Sequence, residues 1–289
     1  MTGDGAPAEW LARVRAWYDR DPEAEWRRLE WRVQYRIEHL VTRHALARHL
    51  PPPGPAARVL DAGGGPGRYT IALAERGYTM TLLDLSPGTV ALARRKVAAA
   101  GPAVAARVEA CVEGSFTDLA AFPDARFDAV LCLGAALSHV VDPAARRRTL
   151  AELRRVAKPG APLVVSGLNR IAGYRGVVQW PYTWGKAYYP DGLAAFAATG
   201  DARGAEGPPW YAFLPEELVA LVADAGLELL ALYGVQGIAA QLPPEHLEAL
   251  MADPVRWPVW RELLLATCDH PNVVGVSSHL LAATARPPA

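Results

Sequence analysis

Apolar and polar positions follow two regimes along this chain of 289 residues. Between residues 21 and 50, Trp26, Leu29, Val33, Ile37, Leu40 and His44 recur at helical spacing and share one stripe. Asp21 stands as N-cap with Pro22 at the first helical position, and the Pro-rich run at 51–55 stops the pattern. The spacing predicts a helical segment ahead of the main fold. From Arg58 the period changes. Short apolar runs, "ARVL", "YTMTLLD", "ARVEACV", "FDAVLCLG" and "APLVVSGL", read as five strands separated by helical stretches. Those helices run over Arg68–Arg76, from Ser86-Pro87 to about Ala100, and from Asp142-Pro143 to Lys158. Strand-helix alternation of this kind implies a mostly parallel sheet with helices on both faces, a doubly wound α/β fold.

The alternation breaks at residues 170–213, where Tyr174, Trp180, Tyr182, Trp184, Tyr188 and Trp210 stand among Gly and Pro. It resumes with "PEELVALVADAGLELLALYG", a helix ending near Gly226 followed by a strand, and "SSHLLAATAR" reads as the final strand. The expected organisation is an N-terminal helical lid segment over 1–52 and one domain over 53–289, with an aromatic-rich cap inserted at about 170–213.

Between the first strand and its helix lies Asp61-Ala-Gly63-Gly64-Gly65-Pro-Gly67. Glycines there allow positive φ and let a ligand reach the main chain with no Cβ in the way. In an open parallel sheet such a ligand sits at the carboxyl ends of the strands. A dinucleotide fingerprint needs Gly-x-Gly-x-x-Gly. Gly63 and Gly65 satisfy its first two places, but the third falls on Arg68 and the glycine comes one residue early.

The turn resembles the first motif of class I S-adenosylmethionine-dependent methyltransferases of the small-molecule type, and further segments extend the resemblance. Asp84, with Leu85 beside it, ends the second strand where the family binds the ribose diol; NAD enzymes use the same position. "EGSFTDL" stands where the family usually has an acid for the adenine amino group; here Ser115 takes that place with Phe116 next to it. "FDAVLCLGAALSHV" resembles the fourth-strand motif, which places Leu133 and Gly134 on the methionine arm. "ELRRVAKPGAPLVVS" is similar to the helix-turn-strand unit that follows. The match covers Arg58 to about Gly167. It implies a Rossmann-like, seven-stranded sheet with an antiparallel last strand, S-adenosylmethionine as cofactor, and S-adenosylhomocysteine as product. It also implies an N-terminal lid from which Tyr18 and Arg36 are candidates to reach the methionine carboxylate. The cofactor set is thus Asp61, Gly63, Gly64, Gly65, Gly67, Asp84, Leu85, Ser115, Phe116, Leu133, Gly134, Tyr18 and Arg36.

His139, just after the fourth strand, reads either as a general base or substrate anchor or as a hydrogen-bonded residue at a helix entrance. The aromatic residues Tyr174, Trp180, Tyr182, Trp184, Tyr188 and Trp210 read as a substrate pocket, with a dimer contact as the other use of such a surface. Zero formal net charge argues against nucleic acid as a partner. The three cysteines, Cys111, Cys132 and Cys268, are dispersed, so neither a disulfide framework nor a metal site is expected. With no signal-peptide pattern and no membrane-length apolar run, the expected compartment is the cytoplasm. The reading is methyl transfer to a small molecule, the acceptor atom being oxygen, nitrogen or carbon. Three alternatives stand beside it: an NAD(P)-dependent oxidoreductase, a nucleic-acid or protein methyltransferase, and a non-catalytic cofactor-binding module.

Overall fold

The computed structural model describes residues 6–179, 191–202 and 207–288. The strands are β1 (Arg58–Ala62), β2 (Thr79–Asp84), β3 (Val108–Glu113), β4 (Ala129–Cys132), β5 (Pro162–Asn169), β6 (Asp201–Ala202), β7 (Trp210–Phe213), β8 (Glu228–Gly234) and β9 (His279–Ala285). Seven of them run side by side in the order β3-β2-β1-β4-β5-β9-β8. β9 is antiparallel to both of its neighbours, as expected of the last strand, and the rest of this row is parallel. The short pair β6–β7 attaches where Leu168 and Asn169 extend β5 alongside Ala212 and Phe213.

The central strands are covered on both faces, which is why they read as unbroken apolar runs. Their side chains alternate: Leu60, Val130, Leu163 and Val165 join one core, and Val59, Leu131 and Val164 the other. The first core is completed by Leu150, Leu153 and Val156 of the helix Pro143–Val156. Asp142 starts that helix by accepting the Ala145 N–H at 2.6 Å.

The N-terminal region differs from the single helix expected over 21–50. It forms α1 (Ala6–Arg20), α2 (Pro22–Trp31) and α3 (Val33–His49). Asp21 caps α2 as expected, accepting the Ala24 N–H at 2.9 Å, and Pro22 opens it. The correction lies at Arg32, whose extended backbone (φ −115°, ψ 144°) ends α2 and redirects the chain. α3 is a core helix: Ile37, Val41 and Ala45 are fully buried in the second core. α1 and α2 lie at the carboxyl ends of the strands instead, and α1 contributes Trp10 and Val14 to the first core. Among its described residues, the aromatic-rich insertion shows the helices Arg170–Gln179 and Asp191–Thr199 as well as β6 and β7. Among the described residues no helix is long and apolar enough to cross a membrane.

Candidate active site

The carboxyl end of β1 passes directly into the glycine turn. Gly63 (φ +77°) donates its N–H to the Leu83 carbonyl at 2.7 Å, and Gly64 donates to the same oxygen at 3.2 Å. This draws the turn against β2. Gly67 (φ +90°) then starts the helix Arg68–Glu75. A Cβ on Gly63 would stand 3.0 Å from the Ala136 Cβ and 3.2 Å from the Phe116 ring. Gly63→Ala is therefore expected to destabilise the fold by about 1–3 kcal/mol, from the left-handed backbone and the contact together. Denaturant unfolding checks this against Gly54→Ala, whose Cβ would meet nothing within 4 Å and which should change little.

Asp84 ends β2 inside a ring of donors. Its Oδ1 accepts from the Ser86 N–H at 2.9 Å and the Thr89 hydroxyl at 2.8 Å, and its Oδ2 from the Gly65 N–H at 2.8 Å. Two carboxylate oxygens offer about four lone-pair positions, so about one remains for a ligand. Burial raises the Asp84 pKa and the three hydrogen bonds oppose the rise. Asp61 lies deeper and accepts the Thr70 hydroxyl at 2.6 Å; burial pushes it up to about 6. A Cβ on Gly64 would come within 2.8 Å of that carboxyl group.

These groups open on a cleft of about 930 Å³. The structure brings Asp61, Gly63, Gly64, Gly65, Asp84, Leu85, Ser115, Phe116, Leu133, Gly134, Tyr18 and His139 to it. Gly67 stands just behind, packed against Ala93 and Leu82. Ser115 is engaged with its neighbour, its Oγ 2.7 Å from the Thr117 hydroxyl. After β4, Gly134 (φ +64°) and Ala135 (φ +60°) are both left-handed, and the Ala135 N–H is held by Ser166 Oγ at 2.8 Å. A positive φ at alanine is costly, and such residues gather at ligand sites.

Arg36 lies elsewhere, paired with Glu248 on the surface. Of the three arginines that line the cleft, Arg15, Arg28 and Arg68, it is Arg28 whose terminal nitrogen would be 3.2 Å from a Cβ on Gly134. Arg28 pairs with Glu25 at 2.7 Å and approaches buried Glu38 at 3.6 Å. Burial disfavours its charge, and the two carboxylates more than compensate, so its pKa is raised. The aromatic residues of the insertion are placed apart from the cleft where they are described. Tyr174 and Trp210 pack around Phe196 in a separate cluster, while Trp180, Tyr182, Trp184 and Tyr188 lie outside the described residues.

An N-terminal lid is expected from the resemblance, but of the α1 residues at the cleft only Tyr18 is named by it. Trp10, Leu11, Val14, Arg15 and Tyr18 line the roof of the cleft from one face of α1. Their spacing of one and four is helical, and it was the available signal. Three contacts fasten the roof: Asp19 accepts from Ser86 Oγ at 2.5 Å and the Gly88 N–H at 3.0 Å, and Arg15 pairs with Glu113 at 2.9 Å. The Trp10 Nε1–H is buried with no partner among the described residues.

Tyr18 and His139 meet at this roof, with Tyr18 Oη 2.9 Å from His139 Nε2 and His139 Nδ1 3.0 Å from the Pro209 carbonyl. A carbonyl only accepts, so Nδ1 carries the proton and the neutral ring accepts the Tyr18 O–H at Nε2. Burial lowers the His139 pKa, opposed by the Pro209 contact, and raises that of Tyr18. At neutral pH both are therefore uncharged.

Residues 59–160 match the family described as "Methyltransferase domain", and this stretch spans β1 to the turn before β5. Residues 59–160 thus form a methyltransferase domain. Its methyltransferase domain is similar to the ubiquinone biosynthesis O-methyltransferase of Xanthomonas campestris, 36% identical over 163 residues, which is 56% of this chain and 60% of that protein. The protein of the same description from Xylella fastidiosa is 41% identical over 114 residues, 39% of this chain and 43% of its own length. The chain thus spans at most 60% of the length of these curated relatives. Among solved structures, the Burkholderia thailandensis 1,6-didemethyltoxoflavin-N1-methyltransferase, bound to S-adenosylhomocysteine, covers all of this chain at a TM-score of 0.56 and 21% identity. That chain is 93% covered in return, and at this identity the likeness speaks to fold alone.

The methyltransferase domain's cleft suits the family's cofactor on its own features. It has a glycine cradle that a Cβ would fill, a ribose-position acid with an unspent acceptor place, and a buried indole donor without a partner.

Proposed function

We propose that this protein transfers the methyl group of S-adenosylmethionine to a small organic acceptor at the cleft beneath α1. One observation carries the reading: the glycine turn, Asp84 and the mixed-charge pair Arg28–Glu25 all converge on a single cleft of about 930 Å³. Bound there, S-adenosylmethionine supplies an electrophilic methyl group, displaced in line from its sulfur. The Asp84 carboxylate would accept from the ribose, and Phe116 would pack on the adenine beside Ser115. Leu133 and Gly134 would line the methionine arm. Arg28 and Glu25 present both signs of charge, matching an amino-acid zwitterion.

The chain's own contribution is alignment and exclusion of water. Orientation can contribute roughly 7–11 kcal/mol in favourable systems. Trp10, Leu11 and Val14 close the cleft from above. For a hydroxyl acceptor, Tyr18 Oη takes the acceptor proton as its own passes to His139 Nε2, and the Pro209 carbonyl steadies the imidazolium through Nδ1–H. An amine or acidic-carbon acceptor would dispense with this relay.

Asp84→Ala is expected to weaken S-adenosylmethionine binding by about 10- to 150-fold, the value of a lost charged hydrogen bond of roughly 1.5–3 kcal/mol. Calorimetric titration measures it, with Asp84→Asn as the milder control because it keeps an acceptor for the Gly65 N–H. Screening a metabolite panel for acceptor-dependent S-adenosylhomocysteine formation tests the function itself. A small-molecule acceptor turned over in step with product supports the reading, whereas turnover confined to nucleic acid or protein would refute it.

A further inference from the structure

A second chamber, open to solvent, lies between α1 and the α2–α3 bend. It meets the first cleft at Tyr18, Glu25 and Arg28, which line both. Its walls carry four aromatic rings, Trp17, Tyr18, Trp31 and Tyr35. Trp31 is 73% exposed and Trp17 42%, with the Arg32 guanidinium 5.0 Å over the Trp31 ring.

The charges in this chamber resolve into pairs with one remainder. Asp21 faces Arg27 at 3.8 Å, Glu25 pairs with Arg28 at 2.7 Å, and Glu30 pairs with Arg68 at 2.6 Å. Every carboxylate on the wall is thus committed to an arginine. Arg20 is left: its guanidinium lies 5.1 Å over the Trp17 ring and has no carboxylate partner among the described residues. A guanidinium without a carboxylate partner beside partly exposed rings is a receptor for a planar anion, ring against ring and anion against guanidinium.

We propose that this chamber is the acceptor site and that the acceptor class is an aromatic anion, an arene bearing a carboxylate or phenolate. The inference rests on the cofactor occupying the first cleft, and it deepens that reading. It moves the acceptor from the 170–213 insertion to the N-terminal helices. The acceptor enters past Trp31 and reaches Tyr18, where the two spaces join and where the relay to His139 begins.

The test titrates three probes, 1-naphthoate, 1-naphthamide and cyclohexanecarboxylate, into wild type and into Arg20→Gln, Trp17→Ala and Trp31→Ala, each saturated with S-adenosylhomocysteine. Trp31 and Arg20 lie on the surface and outside the first cleft, so S-adenosylhomocysteine binding should be unchanged in those variants. Wild type should take naphthoate best. Arg20→Gln should lose about two- to fivefold for naphthoate and nothing for naphthamide, the worth of an exposed charge pair. Trp31→Ala should lose about two- to fivefold for both arenes, the worth of an exposed ring contact.

Equal naphthoate binding by all four proteins, or cyclohexanecarboxylate binding as well as naphthoate, would overturn the acceptor chamber while leaving the cofactor cleft standing. A dimer that Trp31→Ala dissolves would assign the exposed ring to a second copy and overturn it too. Failure of wild type to bind S-adenosylhomocysteine would remove the cofactor reading and this proposal with it.

Discussion

His139→Ala should lower turnover of a hydroxyl acceptor by roughly 10²–10⁴-fold, the usual contribution of a positioned acid or base, while S-adenosylhomocysteine affinity stays within about twofold of wild type, since Asp84 and the glycine turn keep the cofactor contacts. Among the described residues the imidazole hydrogen-bonds to Tyr18 and the Pro209 carbonyl, so truncation removes the proton's destination and leaves Asp84 and the glycine turn untouched. Tyr18→Phe should fall in the same direction, because the ring stays and only the hydroxyl is lost. Steady-state kinetics beside calorimetry separates these effects. The acid limb of the pH profile adds a second check. Burial holds the His139 pKa below the ordinary value of about 6.5. The base form is therefore present at neutral pH, and turnover should fall only below that value. The stability slope has a matching sign. The unfolded chain takes the proton first, so the fold loses stability as pH drops below about 6.5. His139→Ala should flatten part of that slope even without substrate. Full turnover in His139→Ala would leave the residue only its place at the helix entrance.

Glu38→Ala should destabilise the protein by about 3–5 kcal/mol, the cost of removing one partner from a buried ion pair. Glu38 is 2% exposed and sits between Arg28 at 3.6 Å and His279 Nδ1 at 3.2 Å. The His279 contact has ion-pair distance without hydrogen-bond geometry, and it is an ion pair only with the imidazole protonated. Burial pushes the Glu38 carboxyl up, but His279 and then Arg28 outweigh it and hold the group down at about 2. The distance from an ordinary 4.5 to about 2 is worth about 3 kcal/mol, in line with the mutational range. For a depressed carboxyl the stabilisation is full above the unfolded value and is lost as pH falls from about 4.5 towards 2. Urea unfolding of wild type and Glu38→Ala at pH 7 and pH 3 should show the gap narrowing at the lower pH. A gap of under 1 kcal/mol at pH 7 would mean that the network is electrostatically neutral to the fold. Because Arg28 also lines the cleft, the same variant should weaken cofactor binding.

The alternation of apolar runs made the parallel sheet legible, because strands buried on both faces leave no polar period to blur them. The glycine turn and Asp84 were legible for a related reason: backbone conformation and an acid at a strand end are local properties. Arg28 was not. Leu29, Val33 and Ile37 keep one apolar stripe across the break at Arg32, with no glycine or proline between them to mark it. Arg36 is a candidate by resemblance alone; α3 turns it to Glu248 on the surface, whereas α2 carries Arg28 to the cleft. The roof helix α1 carries its signal in Trp10, Val14 and Tyr18, but charged neighbours dilute it. β6 and β7 are two and four residues long and pair only after the chain has folded back, so no local period announces them. The separate cluster of Tyr174, Phe196 and Trp210 shows why aromatic content alone did not locate a pocket: these rings pack on one another.

The most direct test is a competitive calorimetric titration of the purified protein with S-adenosylhomocysteine and NADH. One S-adenosylhomocysteine per chain, undisturbed by NADH and weakened in Asp84→Ala, is the expected result. Binding of NADH in its place, or no dependence on Asp84, would contradict the assignment of the cleft between the glycine turn and α1.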